Sequence, residues 1–228
     1  MKLKLSWSYV FAFLALLFLM HEIHEIVHTT IGRFFCGCWG KRDFNVWGLC
    51  EDCPETNPLS IIATFAGPIF TFAMIWWGTV LLKSNSMEKR SIGFSVIFAS
   101  LPFARILTAA FGGGDEVFGL SKIIDDYTIS WILGLGIIVI ILVIPLYRSY
   151  KIIQNRYKVL WFLAFLMLPL LIDILVVLGG MNTLLERGFL SEYWILGSPK
   201  LVTLWTLVIL ILFLISNKKL KNLGVSNE

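Results

Sequence analysis

An all-α integral membrane protein with six transmembrane helices is the fold class this sequence predicts, and three observations predict it. Of 228 residues, 57% are hydrophobic and only 15% charged, against averages of roughly 45–50% and 25% in soluble domains. Mean hydropathy is +0.81. The apolar residues gather into long stretches, near Leu5–His28, Pro58–Leu82, Ile92–Phe111, Ile129–Tyr147, Val159–Leu178 and Pro199–Ser216. A helix needs about 20 residues to cross a hydrocarbon layer roughly 30 Å thick, so each stretch suffices for one crossing and no separate soluble domain fits between them.

The chain opens Met1-Lys2-Leu3-Lys4 before its first apolar run. No small-residue cleavage site follows, so the run is expected to persist as a mature helix rather than leave as a secretory signal. Asn57-Pro58 and Ser198-Pro199 mark the starts of the second and sixth spans, each placing an N-cap side chain before a proline whose missing N–H costs a first helical turn nothing. Counted on alternate sides, twelve Lys and Arg fall with the termini and six on the other side, with Arg105 left inside a span. The positive-inside rule then predicts a multi-pass protein of the plasma membrane with both termini cytoplasmic and loops 29–57, 112–128 and 179–198 facing outward. Trp7, Trp131, Trp161 and Trp194 lie near span ends, where aromatic belts form. The net charge of +4 is too modest and too dispersed to suggest a nucleic-acid partner.

Chemistry concentrates at the end of the first span, which reads His21-Glu22-Ile23-His24-Glu25-Ile26-Val27-His28 and holds all three histidines of the chain. At about 100° per residue, His24 and His28 lie one helical turn apart on one face, so both imidazoles can reach a single Zn²⁺ at about 2.0–2.1 Å. Glu25 borders that face. It is placed to hold and deprotonate a water whose pKa the zinc has lowered to about 7, as a hydrolase's general base does. Ionisable groups inside a span cost on the order of 2.5–3.5 kcal/mol each, so a cluster of them calls for a metal, water or partner. His21 shares the face one turn earlier and reads equally as a ligand, a supporting group or a proton shuttle. Glu22 points elsewhere and pairs with a cation.

A catalytic zinc takes three protein ligands and keeps one position open, and no histidine remains for the third. Phe111-Gly112-Gly113-Gly114-Asp115-Glu116 ends the third span on the same side as the histidines, with glycines that permit close backbone approach before two acids. Asp115 is the favoured ligand, Glu116 the second choice and Asp173 the third. Arg105 and Asp173 lie at similar depth before their span ends and are expected to form a buried ion pair, with Glu22 as a rival partner for Arg105. The four cysteines, Cys36, Cys38, Cys50 and Cys53, all fall in the first outward loop. An oxidising compartment favours two disulfides between the pairs over a structural zinc, and either staples the loop beside the metal helix.

These motifs resemble the site-2 protease family of intramembrane zinc metalloproteases. The resemblance covers roughly residues 15–120 through His24-Glu25-Ile26-Val27-His28, Ala66-Gly67-Pro68 followed by Thr71, and Asp115. The family's Asn-x-x-Pro and Leu-Asp-Gly signatures are absent, with Ser100-Leu101-Pro102 and Gly114-Asp115-Glu116 near those places. Family membership implies a three-span metalloprotease core over residues 1–128, with three further spans of the same membrane domain in 129–228. It also implies His24, His28 and Asp115 as zinc ligands, Glu25 as base, and a helical membrane protein as substrate. Two other functions use the same residues: a metal transporter or sensor, and a noncatalytic scaffold with a vestigial site. No histidine or cysteine beyond Cys53 extends a transport path.

Overall fold

The computed structural model describes residues 1–53 and 59–225. Among these residues, six helical segments are long and apolar enough to span a membrane: Trp7–Cys36, Ser60–Leu81, Met87–Ala110, Tyr127–Ile152, Lys158–Glu186 and Lys200–Asn222. The protein is an all-α, multi-pass membrane protein.

Helix α1 (Trp7–Cys36) is capped by the Ser6 hydroxyl, which accepts from the Tyr9 N–H, and ends at Gly37 in a left-handed conformation, φ 78°. Its 30 residues rise about 45 Å at 1.5 Å each, so the His-Glu motif lies two turns inside the helix rather than at its end. Helix α2 (Ser60–Leu81) follows. Its expected Asn57-Pro58 cap lies outside the described residues. The third span is two helices, α3 (Met87–Ala99) and α4 (Pro102–Ala110), broken where Leu101 adopts φ 51° before a proline. Short α5 (Asp115–Ser121) then leads into α6 (Tyr127–Ile152).

The fifth span differs most from its sequence reading. Helix α7 (Lys158–Asp173) widens into a π-helical stretch, Ile174–Asn182, and continues through α8 (Thr183–Glu186), so it takes in residues expected in the 179–198 loop. Helix α9 (Lys200–Ser216) starts where expected, but Ser198 does not cap it. Its hydroxyl instead accepts from Arg42 Nε at 2.9 Å.

Helix α1 is the hub, packed against α2, α3, α7 and α9. Tyr9 is buried and hydrogen-bonds Ser95 of α3 at 2.7 Å, and Phe13 meets Phe165 edge to face. Helices α2 and α3 approach through glycines: a Cβ at Gly93 would lie 2.5 Å from the Gly78 carbonyl oxygen. Close backbone contact of this kind replaces the hydrophobic drive that lipid removes. The outer helices leave Ile140, Leu175 and Ile215 more than two-thirds exposed, as lipid-facing side chains require.

Loops segregate to two ends. At one, strand β1 (Lys2–Leu3) pairs antiparallel with β2 (Gly224–Val225), and Leu3 N–H donates to Asn155. At the other, the loop after α1 is closed by disulfides Cys36–Cys53 and Cys38–Cys50 and bonds to residues 197 and 198. The cysteines therefore pair across their two clusters, as expected.

Candidate metal centre

One turn of α1 separates His24 from His28, and their Nε2 atoms stand 3.1 Å apart. Asp115, the first residue of α5, brings Oδ2 to 3.3 Å from His24 Nε2 and 3.6 Å from His28 Nε2. Four tetrahedral ligands at 2.0–2.1 Å from a zinc ion stand roughly 3.3 Å from one another. These three atoms thus already have the mutual spacing of such a ligand set. They are the group among the described residues best arranged to hold a metal.

The other ring nitrogens are turned outward and occupied. His28 Nδ1 donates to the Ala63 carbonyl at 2.7 Å, which leaves the Nε2 lone pair of a neutral imidazole facing its neighbours. His24 Nδ1 meets the Thr71 hydroxyl at 2.8 Å. Both partners come from α2, and they orient the rings as supporting groups orient metal-binding histidines. Helix α2 comes this close because Gly67 has no side chain. A Cβ there would lie 2.2 Å from His28 Nε2 and 2.7 Å from His24 Cε1.

Gly112 and Gly114, both at positive φ, turn the chain from α4 into α5 and swing Asp115 back toward α1. Burial pushes the Asp115 carboxyl up. Hydrogen bonds with His24 and His28 and the Arg105 charge outweigh this and hold it well below the usual carboxylate range. For Glu116, burial dominates and raises the carboxyl.

Arg105 does not pair with Asp173, nor with Glu22. Its Nη1 donates to Asp115 at 2.9 Å and lies 3.6 Å from Glu116, while Nη2 lies against the His24 ring. The break at Leu101 resets the direction of α4, so depth counted along a straight third span misplaced this side chain. Asp173 bonds His21 instead, at 2.9 Å, and is not among the clustered ligands. Glu116 is not either. Glu22 has its cation in Arg42, at 3.1 Å.

Glu25 lines a cavity of about 300 Å³ together with His21, His24, Arg105, Asp115 and Asp173. Its Oε2 is buried without a hydrogen-bond partner among the described residues, as are both oxygens of Glu116. An orphaned carboxylate oxygen is costly in a span, and it marks where a water, ion or substrate belongs. Trp47 was not foreseen. It stacks on the His28 ring at 4.6 Å with planes 9° apart, making the cysteine loop the roof of the centre. A second, outer cavity of about 1050 Å³ lies under the same loop and shares Asn45, Trp47 and Asp115 with the inner one. No local sequence signal marks Trp47, because the disulfides and Arg42 fold that loop back over the helix.

No family model, curated protein or solved structure matches this chain.

Proposed function

We propose that this protein is an intramembrane zinc metalloprotease, a divergent relative of the site-2 proteases, that hydrolyses peptide bonds in helical membrane substrates. The observation that carries the reading is the convergence of two imidazole Nε2 atoms and one carboxylate oxygen at 3.1, 3.3 and 3.6 Å within a membrane-spanning bundle. The donor set, two histidines and a carboxylate, is that of a catalytic zinc, and Arg105 Nη2, which contacts His24 Nε2, would move aside for the ion. Asp115 lies beside Arg105 and Asp173 beside His21, and Glu25 and Glu116 add two carboxyl groups with unsatisfied oxygens that a divalent ion would draw into their anionic form.

His24, His28 and Asp115 would hold the zinc, which when bound supplies the Lewis acidity that makes water a nucleophile near neutral pH. Glu25 takes the proton from the attacking water and returns it to the leaving amine. Arg105 keeps Asp115 ionised and aimed. Trp47 and the stapled loop cover the histidines, and the outer cavity, which shares Asn45, Trp47 and Asp115 with the inner one, gives water and a substrate segment their route to the site.

The site is taken to face outward, with both termini cytoplasmic in the plasma membrane. Twelve basic residues on the terminal side against six support this orientation, and so do two disulfides in the opposite loop, since disulfides persist in oxidising compartments. Alkylation of the four cysteines should require prior reduction and succeed from outside intact cells. Labelling only from the cytoplasmic side reverses the topology.

A second reading has its own observation: the Arg105 guanidinium already neutralises Asp115 and touches His24, as a vestigial site without metal would need. Metal analysis of protein purified in mild detergent decides between them, alongside hydrolysis of dye-quenched β-casein. The protease reading expects about one zinc per chain and activity in wild type, and neither in His24→Ala. Metal-free, inactive wild type selects the scaffold.

A further inference from the structure

Asp173 is an acid in the site cavity that the ligand set does not use. It is 4% exposed, and it is the last residue of α7 before the π-helical stretch. π-helical turns inside α-helices are frequent at functional sites. Both its oxygens accept from His21 Nδ1, at 2.9 and 3.0 Å. This bond fixes the imidazole, because with Nδ1 given to Asp173 the ring must present Nε2 on its opposite side. No hydrogen bond occupies that Nε2 among the described residues.

His21 precedes His24 by three positions and Glu25 by four, so it lies one turn of α1 below both, about 4.5–6 Å along the axis. The three line the same cavity as Asp115. The charged groups that act on His21 are Asp173 from the fifth span and Glu25 and Glu22 from its own helix. Of the other side-chain donors that line it, Arg105 is engaged with Asp115 and His24, Thr71 with His24, and Ser100 and Thr108 with carbonyls of their own helices, while Asn45 and Trp47 reach it from the roof loop. As the imidazolium, whose charge the Asp173 carboxylate balances, His21 carries a second N–H at Nε2, and that donor is uncommitted at the cavity wall.

We infer that His21, held by Asp173, is a further catalytic residue that donates a hydrogen bond from Nε2 to the substrate's carbonyl oxygen as its carbon becomes tetrahedral. The inference rests on the hydrolase reading above. In that step the water oxygen adds to the carbonyl carbon, Glu25 takes the water's proton, and the π pair of the C=O bond moves onto oxygen. The His21 N–H then stabilises the new negative charge without transferring its proton. Collapse re-forms the C=O bond and breaks the C–N bond, and the amine leaves with the proton from Glu25. Removing one such donor elsewhere costs about 10²–10³ in kcat.

A bridge that merely ties α1 to the fifth span is separable from this role by two substitutions. His21→Asn places an amide nitrogen where Nδ1 stands, keeping the Asp173 bond and losing the cavity donor. His21→Gln places one near Nε2 and loses the Asp173 bond. The catalytic role expects Asn to lose about 10²-fold or more in kcat on dye-quenched β-casein with KM and zinc content unchanged, and Gln to recover part of it. Wild-type kcat in Asn, with impaired thermal stability in Gln, overturns the inference.

A second measurement needs no turnover. In the Co²⁺-loaded protein, visible absorption is titrated with methylphosphonate, a tetrahedral anion, and with azide, a linear one. Asn should weaken methylphosphonate by about tenfold or more and leave azide within about twofold. Wild type that takes up no Co²⁺ refutes the metal reading and this inference together. Wild type and Asn binding both anions alike refutes the His21 role alone.

Discussion

Two arginines sit beside carboxylates in this bundle, Arg42 buried and Arg105 partly so, and their surroundings differ. Arg42 Nη1 donates to Glu22 at 3.1 Å, Nε to Ser198 at 2.9 Å, and the Thr206 hydroxyl completes Glu22 at 2.6 Å. Every charged group there has a partner, and both side chains are at most 2% exposed. Arg105 is engaged as well, yet around it Glu25 and Glu116 keep oxygens that no hydrogen bond among the described residues satisfies. Buried polar clusters that close on themselves specify packing, whereas those left open demand something from outside the chain. The first network anchors the roof loop to α1 and α9; the second is where chemistry is expected.

Substitutions test this contrast. The largest effect is expected at the open cluster: His28→Ala should abolish both metal binding and hydrolysis, since two ligands remain. Gly67→Ala should approach that result without removing any ligand, because its methyl meets both rings. In a chelator titration Asp115→Asn should weaken the metal more than Glu116→Gln does; the reverse order moves the third ligand one residue along. Glu25→Gln comes next, losing about 10²-fold or more in rate while metal content stays near wild type. Retention of more than about a tenth of the activity removes Glu25 from water activation.

At the closed cluster the readout is stability. Arg42→Met should cost about 3–5 kcal/mol by stranding Glu22, and adding Glu22→Leu should restore much of it. A double variant as unstable as the summed singles means that the two residues are not coupled. The smallest effect is expected one residue away, where Lys41 pairs with exposed Glu51 at 2.8 Å. Their hydrogen bond and mutual charge lower the Glu51 carboxyl and raise the Lys41 ammonium. Whatever the pair contributes should fade in acid as pH falls through the lowered Glu51 value, and in alkali as pH rises through the raised Lys41 value. At neutral pH, Lys41→Ala should leave the detergent Tm unchanged within error, as solvent-screened pairs do.

Length and hydropathy made the six spans legible because lipid imposes one solution on any long apolar run. The 100° step of an α-helix made His24 and His28 legible as a pair, and the shortage of histidines pointed to Asp115. Arg105 and Asp173 were misread for a specific reason: matching depths assumes straight helices with known ends. The third span bends at Leu101, and the fifth runs on through a π-helical stretch to Glu186. The partner of Glu22 and the position of Trp47 depend on a loop folded back by disulfides, which no periodicity encodes.

The order in which partners appear along the chain sets a problem of biogenesis. Of the six described spans α1 is made first, carrying three imidazoles and two carboxylates. Asp115 follows His24 by 91 residues, Asp173 follows His21 by 152, and Thr206 follows Glu22 by 184. Arg42, Ala63 and Thr71 follow closely, but until the later spans arrive several polar groups of α1 lack the partners they have in the finished bundle. It must therefore wait near the water-accessible insertion machinery rather than diffuse into lipid, and truncations short of α9 should be held there or degraded. The residues proposed to make the site reactive thus also make the whole bundle fold as one late event.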